Sequence, residues 1–152
     1  MLKYAKDLSK KYKVDEEIVV LSVWLHDIGS IIYGRENHHI TGAHIAEQKL
    51  KELNYPKERI KLIKNCILHH RGSKNEKMKT TEEKIVAEAD AMSAFDSISG
   101  IFKAAFVYEK LDQGEAKKKV REKYQNKWKQ LSPTAKKIIR KKYDAIMYIL
   151  KD

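Results

Sequence analysis

Cysteine, proline and glycine are scarce in this chain: one, two and six among 152 residues. A lone cysteine, Cys66, cannot close an internal disulfide, which excludes a disulfide scaffold and suits a reducing, cytoplasmic setting. So few turn formers argue against a protein of many strands and tight turns. Long apolar runs are missing as well. The longest nearly apolar stretch, Ile18 to Leu25, falls far short of the roughly 20 residues a membrane-spanning helix needs. Met1-Leu2-Lys3-Tyr4 lacks the basic-then-apolar pattern of a leader, so no membrane partner is expected.

Hydrophobic residues make up 42% of the chain and are spread along it, which excludes a disordered polyelectrolyte. The length fits a single domain. The net charge of +11 is localised. Between Lys117 and Lys142 stand twelve basic residues against one acid, Glu122, whereas residues 1–116 hold 19 basic and 18 acidic residues.

Abundant Lys, Glu, Ile and Ala favour helices. Leu2, Ala5, Leu8 and Tyr12 predict a first helix over about 2–12. Asp15 reads as the N-cap of a second, apolar on more than one face and therefore expected at the centre, with Gly29 stopping it after His26-Asp27-Ile28. A loop through Tyr33 to Asn37 follows, and Thr41 or Gly42 starts the next helix, which ends near Asn54. Pro56 opens a helix ending at His69-His70-Arg71-Gly72, and Thr80-Thr81-Glu82-Glu83 reads as a capping box. A helix over about 97–111, a break at Gly114, and two basic helices divided by Ser132-Pro133 complete the chain. The expected fold is all-α, a single-domain bundle of about seven to eight helices.

All six histidines lie between residues 26 and 70, and five of them fall at the predicted helix ends or starts. One histidine alone reads as a surface or satisfied core residue. Two His pairs and a His-Asp pair, all at helix ends, offer the mixed nitrogen and oxygen donors that suit Mn, Fe, Co, Ni or Zn. No Ser-His-Asp set, glycine-rich phosphate loop or CxxC pattern competes with a metal site.

Leu25-His26-Asp27-Ile28-Gly29 resembles the signature of the HD-domain superfamily of metal-dependent phosphohydrolases. His38-His39-Ile40-Thr41-Gly42-Ala43 resembles the second histidine segment of its bimetallic branches, and Ile67-Leu68-His69-His70-Arg71-Gly72 the next one. Ala87-Glu88-Ala89-Asp90-Ala91 resembles the late element whose aspartate closes the site. The resemblance runs over residues 2 to about 102 and implies an HD-type core over 1–112, with 113–152 as basic helices packing on the same domain. It implies metal ligation by His26, Asp27, His38, His69, His70 and Asp90, with one or two divalent ions, Mg included. Asp27 is the bridging, catalytic carboxylate in that scheme. His38 is preferred to His39 by its distance to Gly42-Ala43, and His69 to His70 by its position relative to Gly72, although one branch uses both. A buried carboxylate is costly without a partner, which gives Asp90 in its apolar stretch a reason to be there. His44 reads as an exposed helix residue.

The family's first ligand, a histidine early in the helix before the HD helix, is expected just ahead of Met1, and no histidine precedes His26. Either the chain starts earlier than Met1 or the site is one ligand short. The implied activity is hydrolysis of a nucleotide or other phosphate ester by metal-activated water, with Arg35, Arg71 and Lys74 as candidate phosphate binders. The alternative is a degenerate domain acting as a regulatory or nucleic-acid-binding module. For the latter, residues 117–142 with Tyr124, Trp128 and Tyr143 interleaved form a candidate weak nucleic-acid surface, set against simple packing of those aromatics.

Overall fold

The structure is a computed structural model that describes residues 1–71 and 78–151. Among these residues there are helices and no strands, so the fold is all-α. The chain forms two compact units, Met1–Asp90 and Ala91–Asp152. No single helix among the described residues is long and apolar enough to cross a membrane.

The first unit contains α1 (Leu2–Tyr12), α2 (Glu16–Leu25), α3 (Ile28–Tyr33), α4 (His38–Glu52) and α5 (Lys57–His69), then most of α6 (Thr81–Ser93). Local chemistry accounts for most of these boundaries. Asp15 caps α2 by accepting from the Glu17 and Ile18 amides at 3.1 and 3.4 Å, and Arg59 of α5 pairs with both Asp15 and Glu17 at 2.8 Å. Leu8, Ile18, Val19, Ala46, Ile63 and Ile67 are fully buried between the helices. Cys66 joins them; burial pushes its thiol up to about 12, which makes it a core residue and not a nucleophile.

Three local expectations in the first unit are corrected. The stretch after Gly29 is helical, not loop: α3 runs Ile28–Tyr33. Helix α4 begins at His38, several residues before Thr41, after Asn37 adopts a left-handed conformation with φ 49°. Gly29 is not the stop of α2. The break comes at Asp27, whose φ of −105° and ψ of 10° leave the helical region, and Gly29 lies inside α3. Its role is close approach. A Cβ there would stand 2.5 Å from Thr41 Oγ1 and 2.6 Å from the Gly42 amide nitrogen, and closer still to the His38 carbonyl. Only glycine lets α3 and α4 meet backbone to backbone at this point.

The second unit holds the end of α6, a 3-10 turn (Ala94–Asp96), α7 (Ile98–Lys103) with a π-helical continuation (Ala104–Tyr108), α8 (Gln113–Gln130) and α9 (Pro133–Ile149). Gly114 does not break a helix; it lies in the first turn of α8, which Asp112 and Glu115 close with a reciprocal capping box. Ser132 caps α9 and Pro133 takes its first position, as the sequence predicts. The aromatics of the basic segment serve packing. Tyr124 is buried and donates its hydroxyl to the Ala94 carbonyl at 3.0 Å, while Trp128 stacks on Tyr143 with centroids 4.1 Å apart. Several of the cations are paired within the unit, Lys119 with Glu109 and Arg140 with Asp144 among them.

Candidate metal centre

Three histidines of the first unit share one local geometry. His26 directs Nδ1 to the Val23 carbonyl at 2.7 Å, His38 to the Arg35 carbonyl at 2.8 Å, and His70 to the Ile67 carbonyl at 2.6 Å. His26 and His70 follow directly on the last residues of α2 and α5. Carbonyls in a helix's last turn lack a partner further along the chain, so an imidazole three residues on satisfies one of them. A carbonyl only accepts, so each Nδ1 carries a proton and each neutral ring presents a bare Nε2.

These Nε2 atoms converge on one carboxylate. Asp27 Oδ2 lies 3.2 Å from His26 Nε2, and its Oδ1 lies 3.3 Å from His38 Nε2 and 3.9 Å from His70 Nε2. His38 Nε2 and His70 Nε2 are themselves 3.3 Å apart. Two lone pairs at that distance, next to a carboxylate, repel unless a proton or a cation lies among them. Single donor atoms of Asp27, His38 and His70 all fall within 4.8 Å of one another, a spacing that suits one ion. His38 and His70 are buried, and Asp27 is exposed on its outer side. The residues therefore fit a divalent metal by donor type, tautomer and convergence.

The electrostatics agree. A hydrogen bond from His26, opposed by burial and helped by the charges of His26, His70 and His38, lowers the Asp27 carboxyl to about 2. Burial works against the His26 imidazolium, but the Asp27 hydrogen bond, the Val23 carbonyl, and the charges of Asp27 and Asp90 outweigh it and raise the pKa. For His70, burial dominates and lowers the pKa, despite the Ile67 carbonyl. Asp27 thus stays ionised, and a proton held by His26 would compete with a metal ion for its Nε2. Metal uptake is expected to release protons and to weaken as pH falls through the range in which His26 takes up a proton, which lies above that of an ordinary histidine. Calorimetric titration in buffers across that range measures it; an affinity independent of pH would contradict the prediction.

The remaining candidate residues are distributed as follows. His69 directs Nδ1 to Oε2 of the fully buried Glu83 at 2.6 Å, and the adjacent His70 places its Nε2 3.9 Å from Asp27 Oδ1. Asp90, on α6, acts through its charge on both His26 and His70. His39 lies edge-on to His38 with centroids 5.9 Å apart, and His44 is exposed on α4. Arg35 and Arg71 are exposed at the segments carrying His38 and His70. Lys74, like Gly72, lies outside the described residues.

Glu83 is the residue sequence reasoning missed. The sequence reads it as the last member of a capping box. Only half of that box forms: the Glu83 amide donates to Thr80 Oγ1 at 3.2 Å, while its carboxylate takes the Lys79 amide and His69. Its Oε1 finds no hydrogen-bond partner among the described residues.

A family profile described as HD domain matches residues 1–94. No curated protein and no solved structure matches the chain.

Proposed function

This chain belongs to the HD-domain family, and from that premise we propose that it is a metal-dependent phosphohydrolase acting on an organic phosphate ester, nucleotides among the candidates, in the cytoplasm. The observation that carries the reading is the meeting of the bare Nε2 atoms of His38 and His70 at 3.3 Å beside the Asp27 carboxylate. His26, Asp27, His38 and His70 would hold the ion, with Asp90 adding negative charge nearby. A bound divalent ion supplies Lewis acidity toward a phosphoryl oxygen and lowers the pKa of water.

The chain's own residues do the rest. The Val23, Arg35 and Ile67 carbonyls fix the three rings so that their Nε2 atoms need no reorientation when loaded. Asp27 remains an anion throughout the neutral range. Arg35 and Arg71 would bind non-reacting phosphate oxygens. In the overall reaction water adds to phosphorus, the ester P–O bond breaks, and the alcohol departs with a proton that originates from water.

The direct test loads the purified protein in turn with Mn, Co, Ni, Zn and Mg and measures phosphate release from a panel of nucleotides and simple esters. Release that disappears on chelation and returns on adding back the ion is expected. Metal-loaded protein that stays inert across the panel would refute the reading.

A further inference from the structure

Helix α2 was expected to be central because it is apolar on more than one face, yet Trp24 is 71% exposed. Ile31, two turns of chain further on in α3, is 83% exposed. Both border a groove of about 340 Å³ that is also lined by Met1, Leu2, Val23, Ile28, His26 and Asp27. An exposed apolar surface of this kind marks a binding site more often than a neutral surface, and this one is continuous with the metal centre.

We infer that this groove holds the organic part of the phosphate ester, and that the substrate's alcohol is apolar or aromatic and not a sugar or nucleobase. The inference rests on the phosphohydrolase reading and narrows it. Position supports it: His26 and Asp27 line the same groove as Trp24, Ile28 and Ile31, so a phosphate held at the first two would leave its ester substituent within reach of the other three. The size suits a one- or two-ring group, at the small end of ligand pockets. The chemistry of the lining then selects among rings. Among the described residues the side chains lining the groove offer the Trp24 indole N–H and the two candidate ligands, and are otherwise apolar. A nucleobase edge or a sugar hydroxyl gains few side-chain partners there, whereas an aryl or alkyl group gains apolar contact in place of water.

Binding of non-hydrolysable phosphonates to the zinc-loaded protein tests this by calorimetry. 1-Naphthylphosphonate is expected to bind at least about tenfold more tightly than methylphosphonate and more tightly than the phosphonate analogue of adenosine monophosphate. Trp24→Ala and Ile31→Ala should each bring naphthylphosphonate down toward the methylphosphonate value. Both side chains are exposed, so neither substitution touches the core. Equal affinities, no binding of any phosphonate, or a preference that survives both substitutions would overturn the inference. So would self-association through Trp24 and Ile31 without a preference among phosphonates, because the face would then belong to a second copy. Naphthylphosphonate binding that depends on Trp24 in a protein that hydrolyses no ester would leave the groove standing and remove the hydrolase reading; ester hydrolysis with no such preference would do the reverse.

Discussion

Asparagine in place of Asp27 is expected to lower divalent-metal affinity by at least about 100-fold, the upper end of what losing even an outer-shell partner costs. Asp27 is the anion that all three convergent imidazoles face: Oδ2 meets His26, and Oδ1 meets His38 and His70. Asparagine keeps the shape and removes the charge. Its amide N–H can also donate to a bare Nε2, so the metal-free fold should tolerate the change. Loss of metal would then report on ligation and not on unfolding. A second readout needs no metal at all. The hydrogen bond and charge of Asp27 raise the His26 pKa against the burial that lowers it. Without them burial prevails, and the His26 pKa should fall, as followed by NMR titration of its imidazole resonances. A variant with undiminished metal affinity and an unmoved His26 would take Asp27 out of the centre.

Alanine at Gly29 should destabilise the protein by about 3 kcal/mol, at the high end for overpacking, because the atoms met by the new methyl are mostly backbone. Thr41 Oγ1 can rotate away, but the His38 carbonyl and the Gly42 nitrogen cannot move without shifting α4. For a chain of 152 residues that corresponds to a melting temperature lower by roughly 10 °C. The same shift carries His38 away from Asp27, so metal affinity should fall together with stability. Gly114→Ala is the control, since a Cβ there meets nothing closer than 3.5 Å and the residue lies in a helix. It should cause no loss. Unchanged melting and metal binding in Gly29→Ala would show that the two helices are not held by this contact.

Much of the fold was legible because its signals are local. The Asp15 cap and the Ser132-Pro133 start act within one helical turn, and the apolar spacing of α1 matches a helix ending at Tyr12. The misplaced boundaries share a different cause. Ile28 to Tyr33 carries no distinctive cap, and its helical turn depends on Gly29 fitting against α4. Helix α2 reads as apolar on more than one face, but hydrophobicity alone does not say which face has a neighbour, and its Trp24 is exposed.

The site divides in the same way. His26-Asp27 could be singled out because the pair is adjacent in the chain and falls at a helix junction. The choice between His69 and His70 could not be made reliably from spacing. Successive residues on a helix point about 100° apart, so one position decides whether a ring faces Asp27 or the buried Glu83. By itself the sequence determined the helical class, most caps, the adjacent His-Asp pair and the segregation of charge, because each depends on periodicity or on neighbours in the chain. Tertiary structure alone decided which histidines meet, why Gly29 must lack a side chain, and where apolar surface is left open beside the centre. Those outcomes depend on the rotational phase and close approach of segments far apart in sequence, and no local pattern encodes them.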